Sequence, residues 1–256
     1  MQRQGQRVNV WCILRCVDIA ALKKEAKSKQ TKPARLLELA ASRDLIVQLA
    51  VANNPLSPPA ALEYLSGHGK FNILKAVAKN PATPIAILEK LAAHPQATVC
   101  AAIAGNPNAP QKTLERLVGH ADSRVREAIT GNRNASAQVL ERLSDDPDPT
   151  VRYWLAYRAY CPVKALEKLS RDPDATVRAC VAWNPHTSRA ALIGLATDPD
   201  ATVRATTISG LWHSRQSDLR SGVLDAEVFE RLRELARDPD PIVRKVFTTK
   251  RIPVYV

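Results

Sequence analysis

The chain has 256 residues, of which 45% are hydrophobic, and a formal net charge of +12 at pH 7. A chain of this size can bury a sizeable core. Its unbroken apolar stretches fall far short of the roughly 20 residues that span a bilayer. The N-terminal stretch VNVWCILRCV is interrupted by Arg15, which argues against a secretory signal. These properties indicate a folded, elongated domain without a membrane segment.

The basic excess is concentrated at the N-terminus. Residues 1–36 hold nine Lys/Arg against Asp18 and Glu25, which gives +7 of the total of +12. Such a cluster binds phosphates or an acidic partner, or it is the solvated face of a solubilising helix. The candidate contacts are Lys23, Lys24, Lys27 and Lys29.

We assign residues 1–32 to a basic N-terminal segment. The helical pattern begins near Val17 or Asp18. An unstructured leader over residues 1–16 is therefore one alternative for the start of the chain.

The dominant pattern is a strict period of 26 residues, the step from Val151 to Val177. An aliphatic anchor recurs at this interval, and a last anchor follows the insertion at 213–226; the anchors are Val47, Ile73, Val99, Val125, Val151, Val177, Val203 and Val243. Two leucines precede each anchor by eleven and eight positions, from Leu36 and Leu39 to Leu232 and Leu235. A fixed period of about 20 to 50 residues is typical of a solenoid, in which each repeat buries its apolar face against its neighbours.

The repeat at residues 177–202 predicts two short helices joined by a turn. Asp174 is a favoured N-cap for the first helix. Asn184 and Pro185 close it, because Asn tolerates the left-handed conformation at a helix end and Pro cannot donate the next hydrogen bond. The second helix is predicted over Ser188–Ala196 and carries the leucine pair.

The closing position of the first helix is an asparagine in most repeats. It is occupied by Asn54, Asn80, Asn106, Asn132, Arg158 and Asn184, before Gly210 ends the series. Stacked asparagines can bond the backbone of a neighbouring turn. We interpret this column as structural; a binding surface is the alternative.

The motif V-R-x-x-V-A-x-N-P-x-T-[SP]-x-x-x-L-x-x-L-A-x-D-P-D, clearest at residues 177–200, resembles the leucine-rich repeat variant family. The resemblance covers about residues 33–212 and 227–247, and the D-P-D-x-x-V-R core also resembles HEAT-type repeats. It implies an all-α, right-handed superhelical solenoid of short paired helices, in which α-helices alternate with 3₁₀ helices. The solenoid would have about seven to eight repeats of 26 residues, the length of 177–202.

Part of that family binds an iron–sulfur cluster through an N-terminal cysteine cluster. Such a cluster generally takes four thiolates, and this N-terminus offers only Cys12 and Cys16. We therefore predict no cofactor.

Two further columns could be mistaken for sites. Arginine follows the anchor in five repeats, and an aspartate lies six residues before most of these arginines. The column is either an Asp–Arg ladder between repeats or a track for phosphates, and the paired acids favour the ladder. His68, His94 and His120 share one column, but helices about 8 to 10 Å apart cannot bring three of them to one zinc ion at about 2 Å. We predict turn residues and no metal.

Cysteine usage indicates a reducing compartment, and the absence of the known catalytic motifs indicates a non-enzymatic protein. Cys161 and Cys180 stand in columns of small residues, and the odd total of five gives no disulfide framework. This predicts a cytoplasmic protein. No recurring Ser–His–acid set, phosphate loop or HExxH motif is present.

The repeat that begins at Val151 departs most from the pattern, because aromatic residues replace small or polar ones. Exposed aromatics beside arginines suit a protein-binding hot spot or a platform for nucleobases. The alternative is local repacking, with Trp154 filling a wider gap in the core. The candidate binding residues are Arg152, Tyr153, Tyr157, Arg158 and Trp183.

The remaining boundaries follow from the repeat. Residues 33–212 are predicted as the repeat solenoid, 213–226 as an insertion that forms a surface loop or belongs to a C-terminal cap, and 227–256 as a degenerate repeat and cap. We predict a scaffold that binds another protein through its concave face and the aromatic and arginine patch. The alternative is a nucleic-acid-binding repeat protein that uses the basic N-terminus and an arginine and aromatic groove.

Overall fold

The structure is a computed structural model. It describes the backbone of residues 10–221, 226–250 and 252, and the side chains of residues 18–212, 226–250 and 252. Every regular element in this described part is an α-helix, and neighbouring helices pack in sequence order. The predicted all-α repeat architecture is confirmed.

The chain forms two compact units, Met1–Leu117 and Val118–Val256, which are described separately. The helices of the first unit are α1 (Val10–Lys27), α2 (Pro33–Ala40), α3 (Leu45–Ala52), α4 (Pro59–His68), α5 (Phe71–Lys79), α6 (Ile85–Leu91), α7 (Ala97–Ala104) and α8 (Gln111–Leu117). The helices of the second unit are α9 (Ser123–Thr130), α10 (Ala137–Leu143), α11 (Pro149–Tyr157), α12 (Val163–Leu169), α13 (Ala175–Trp183), α14 (Arg189–Leu195), α15 (Ala201–Ser221), α16 (Ala226–Ala236) and α17 (Pro241–Thr249).

The anchors and the leucine pairs form the core of both units. All eight anchors are at most 2% exposed, and the sixteen paired leucines are at most 6% exposed. The anchors lie on the odd-numbered helices from α3 to α17, which we call first helices, and the leucine pairs lie on the even-numbered second helices. Within each unit the first helices of successive repeats pack more extensively on each other than most second helices do. The row of first helices is therefore the closely spaced side of each stack.

The asparagine column joins successive repeats. Asn80 donates from Nδ2 to the carbonyls of Ala52 and Asn54 in the preceding repeat, both at 2.8 Å, and its Oδ1 accepts the N–H of Ala82 at 2.9 Å. The same three bonds recur at Asn54, Asn106 and Asn184. These side chains are at most 4% exposed, so each amide satisfies two buried carbonyls that water cannot reach. The structural interpretation of this column is confirmed.

Three details of the predicted helices are corrected. Asn184 ends α13 in an extended conformation, φ −71° and ψ 128°, instead of a left-handed one. Pro185 explains this, because the residue before a proline is pushed towards extended backbone. The second correction concerns the predicted alternation of α and 3₁₀ helices, because both helices of a repeat are α-helical. In α12, for example, Leu166 N donates to Pro162 O at 3.0 Å and Ser170 N to Leu166 O at 2.8 Å, which are i to i−4 bonds.

The third correction concerns the insertion at 213–226, which is not a loop over most of its length. Helix α15 continues to Ser221, and residues 222–225 lie outside the described part. Gly210 and Leu211 stand where four of the other repeats have an Asn–Pro stop, so no proline ends the helix there. A Cβ on Gly210 would lie 2.8 Å from the Ala182 carbonyl, so glycine also permits the close approach of α15 to α13.

Helix α1 begins at Val10, earlier than the predicted start near Val17. Residues 1–9 of the predicted leader lie outside the described part. None of the described helices is both long enough and apolar enough to cross a membrane.

We predict that Asn80→Ala lowers the free energy of unfolding by about 3 kcal/mol, because two buried carbonyls and one N–H lose their partner. Urea denaturation followed by far-UV circular dichroism measures the change. The control is Asn53→Ala: Asn53 is exposed and bonds Leu49 of its own helix, so its removal is expected to cost less than about 0.5 kcal/mol. Equal losses in the two variants would contradict the role of the column.

Candidate functional site

The aromatic residues of α11 and α13 form one cluster in the second unit. The ring centroids of Tyr157 and Trp183 are 5.5 Å apart with an interplanar angle of 3°, and those of Tyr153 and Tyr157 are 6.4 Å apart at 15°. Because Tyr157 and Trp183 are one period apart, the repeat itself places one ring beside the other. Tyr157 is 42% exposed and Trp183 58% exposed. Tyr157 and Trp183, two of the candidate binding residues, therefore form an exposed aromatic pair.

The cluster borders a cavity of about 490 Å³, which we call the aromatic groove. It lies on the row of first helices, between α11, α13 and the start of α15. Its described lining combines the parallel rings of Tyr153, Tyr157 and Trp183 with small side chains and one acid, Asp200. Thr202 and Thr206 also line it. A concave, mainly apolar site with a few polar groups is the usual form of a ligand-binding surface.

Cys180 lines the aromatic groove as a small apolar side chain. Burial raises the pKa of its thiol to about 12, so the thiolate is absent at neutral pH. A cysteine nucleophile needs the thiolate. The groove therefore offers binding chemistry and no activated nucleophile at this position.

Trp154 packs edge to face against both tyrosines of the cluster. Its ring meets Tyr153 at 80° and Tyr157 at 87°, with centroids 5.4 and 5.6 Å away. The Arg158 guanidinium carbon lies 5.6 Å from the same ring, within cation–π range. Trp154 thus contacts both tyrosines. It is only partly buried, so the alternative that it fills a gap in the core is not borne out.

Arg152 belongs to a ladder of ion pairs. Its Nε and Nη2 bond both carboxylate oxygens of Asp172 in the next repeat, at 2.7 and 3.0 Å, and its Nη1 donates to the Asp146 carbonyl at 2.7 Å. The side chains of Arg152 and Asp172 are 12% and 3% exposed. The same bidentate pairing joins Arg126 to Asp146, Arg178 to Asp198, and Arg204 to Asp238. The ladder interpretation is confirmed, and these guanidiniums are engaged instead of facing phosphates.

Arg158 interrupts the asparagine column, and Tyr160 compensates for the interruption. The Tyr160 hydroxyl donates to the Thr130 carbonyl at 3.0 Å, the counterpart of the carbonyl that an asparagine at 158 would reach. Arg158 instead lies against Trp154, and its Nε is buried without a hydrogen-bond partner. The sequence analysis missed this exchange; the signal was that Arg158 and Tyr160 appear together in a repeat that lacks the asparagine.

Asp200 lines the aromatic groove and was not among the candidate residues selected from the sequence. It caps the start of α15, where its Oδ1 accepts the N–H of Thr202 at 2.7 Å and of Val203 at 3.2 Å. These backbone bonds hold the pKa of its carboxyl below the ordinary value, so Asp200 is an anion at neutral pH. Asp198 in the same turn is paired with Arg178, and Arg178 also helps to lower the pKa of the Asp200 carboxyl. Asp200 is the one acid in the described lining of the groove.

The predicted basic contacts lie in the first unit. Lys23, Lys24 and Lys27 are exposed on α1, and Lys29 is exposed in the turn that follows. Arg35 beside them is bonded to Glu25 and Glu38. The aromatic groove belongs to the second unit, so the structure does not bring together the lysines and the aromatic residues within one unit.

The histidine column consists of turn residues at two of its three positions. Nδ1 of His94 and of His120 accepts the N–H two residues further on, at 3.2 and 3.0 Å, as Asp146 does in its own turn. His68 instead stacks on Tyr64. No group of three or more His, Cys, Asp or Glu side chains in the described part is arranged to hold a metal ion.

No protein-family model matches the chain, and no curated protein matches its sequence significantly. The geometry of the aromatic groove is therefore the basis for a functional assignment.

We predict that Tyr160→Phe lowers the free energy of unfolding by about 1 kcal/mol, because the Thr130 carbonyl loses its donor. Adding Arg158→Asn recovers this loss, since an asparagine there can donate to the same carbonyl. Chemical denaturation of the single and double variants measures both effects.

The matched control is Tyr64→Phe, because Tyr64 and Tyr160 are both 37% exposed and Tyr64 lies on His68. Little change is expected in this control. A Tyr160→Phe protein as stable as the wild type, or a double variant less stable than Tyr160→Phe alone, would show that Tyr160 does not replace the asparagine.

Proposed function

We propose that this protein is a non-enzymatic helical-repeat scaffold that binds a segment of a partner protein in the aromatic groove. The observation that carries the proposal is the parallel pair of Tyr157 and Trp183, half-exposed beside a cavity of about 490 Å³. Tyrosine and tryptophan side chains that border a pocket are typical hot spots of protein interfaces. The row of first helices supplies the surface, in keeping with binding on a concave face.

Charge favours a protein over a nucleic acid. The charged residue among the described groove lining is the anion Asp200, which repels phosphates. Arg152, one of the two arginines that suggested a phosphate contact, is paired with Asp172. The exposed lysines of α1 belong to the first unit and do not line the groove.

We also propose a reducing compartment such as the cytoplasm. Cys100, Cys161 and Cys180 are free thiols buried in the stacks, and Cys161 and Cys180 stand in columns of mostly small residues in sister repeats. Free buried thiols of this kind are common in proteins of reducing compartments.

A random-peptide phage library tests the function. We expect selection on the wild-type protein to enrich peptides that bind the double variant Tyr157→Asn/Trp183→Ser about 30-fold more weakly by fluorescence anisotropy, because hot-spot residues contribute about 2 kcal/mol or more. Asn53 and Ser209 occupy the same column in sister repeats, so these replacements suit the fold.

The control for this experiment is Tyr64→Lys, which removes an exposed aromatic outside the groove; Lys90 and Lys168 occupy its column. Peptides that bind the double variant as well as the wild type, or a library that yields no binders, would refute the proposal. Binding of a labelled oligothymidine that requires Trp183 would assign the groove to nucleic acid instead.

A further inference from the structure

A positive charge lies on each side of the exposed aromatic pair, at the edge of the aromatic groove where α11 and α13 end. One column of the repeat runs along this edge through Gly131, Tyr157, Trp183 and Ser209. The two rings in the middle are parallel, with centroids 5.5 Å apart. The two outer positions hold small residues, and the head group of a cation from elsewhere in the chain lies at each of them.

The Arg158 guanidinium lies at the Gly131 position. A Cβ on Gly131 would be 3.3 Å from Arg158 Nη2, so the glycine leaves the space that the guanidinium occupies. Arg158 contacts the Trp154 ring and has no carboxylate partner in the described part of the chain. Its Nε is buried, but neither of its unpaired Nη groups is, so the tip of the side chain reaches solvent. Arg158 thus differs from Arg152, which is paired with Asp172.

Lys250 lies at the other end of the column. Its Nζ donates to Ser209 Oγ at 2.6 Å, and its side chain is exposed. An ammonium group carries three N–H donors, so two of them remain for a ligand. Among the described side chains, no carboxylate pairs with Lys250.

The acids of this region leave both cations unpaired. Glu127 on α9 forms no ion pair with Arg158. Asp200 caps the start of α15, about 13 Å along the helix from Ser209 at a rise of about 1.5 Å per residue. Arg133, exposed in the turn after α9, adds a positive charge on the Arg158 side. The edge is therefore basic, while the acid of the groove lies away from it.

We propose that this edge binds an acidic segment of the partner protein, in which an apolar side chain enters the aromatic groove and carboxylates on either side of it pair with Arg158 and Lys250. The inference rests on the proposed function, because Tyr157 and Trp183 supply the contact for the apolar side chain. A guanidinium donates two parallel hydrogen bonds to a carboxylate, and an ammonium attracts one as a point charge. Charge pairs at the rim of an apolar contact mainly determine partner choice and association rate.

A basic segment and a nucleic acid fit this arrangement less well. Lysines or arginines of a partner would meet like charges at both ends of the aromatic pair. A nucleic-acid strand brings a phosphate with every nucleotide, so phosphates would also meet Asp200 inside the groove. The carboxylates of a peptide can be confined to the two positions where the cations lie.

Three labelled peptide libraries test the inference. Each peptide has a central leucine between four residues on each side, which are Asp or Glu, Asn or Gln, or Lys or Arg in the three libraries. Such peptides span about 30 Å when extended, enough to cross several first helices. Fluorescence anisotropy measures binding to the full chain. We expect the acidic library to bind about tenfold more tightly than the amide library at low salt, and the ratio to fall as salt screens the ion pairs.

Charge-removing variants locate the contacts. Arg158→Gln and Lys250→Gln are each expected to lower the ratio of acidic to amide binding about threefold, and the double variant to bring it close to one. The matched control is Lys79→Gln, because Lys79 is exposed and occupies the column of Tyr157 in a repeat of the first unit. It removes the same charge away from the groove and is expected to leave the ratio unchanged. Circular dichroism checks that each variant is folded.

The outcomes separate the two proposals. A ratio that is the same in the wild type and in the double variant would overturn the acidic assignment. So would an amide or basic library that binds best. If binding is still lost in Trp183→Ser, either result leaves the scaffold function intact. Acidic peptides that bind Trp183→Ser as well as the wild type would overturn the placement at this edge. Libraries that all fail to bind the wild-type chain would overturn both proposals.

Discussion

A buried main-chain carbonyl at each turn of the stack needs a donor, and an asparagine amide supplies it in most repeats. Each first helix ends with carbonyls that face the following repeat, where water does not reach them. The asparagine that closes the next first helix donates to two of them and accepts an N–H of its own turn. An unpaired buried polar group costs about 1 to 3 kcal/mol. The asparagine bonds therefore tie each first helix to the one before it.

The candidate site lies where this requirement is met in a different way. Arg158 leaves the column to lie on Trp154, and Tyr160 donates to the Thr130 carbonyl in place of an asparagine. The exchange allows a bulky aromatic group on α11 without a break in the stack. Because the next repeat places Trp183 one period beyond Tyr157, two exposed rings become neighbours and border a groove. The Arg–Asp ladder keeps the adjacent turns together while its charges stay paired.

Much of the fold could be predicted because one period repeats each packing decision: anchors such as Val151, the N-cap Asp174 and the pairing of Arg178 with Asp198 all follow from spacing. Single events without a sister repeat could not be predicted in this way. The continuation of α15 past Gly210 and the bond from Tyr160 depend on one repeat alone. The place of Asp200 in the groove could not be predicted either, because it depends on three helices. The resemblance to the leucine-rich repeat variant family stays a prediction.

Residues one period apart are equivalent neighbours in a stack, and the deletion of one whole period is the sharpest test of this equivalence. Removing residues 177–202 joins Thr176 to Val203 and restores the same A-T-V-R sequence at the junction. We expect the shortened protein to keep its helical circular dichroism and a cooperative thermal transition. Removing residues 177–198 instead shifts the register by four positions, and we expect this deletion to abolish the transition. Equal behaviour of the two deletions would show that the repeats are not equivalent.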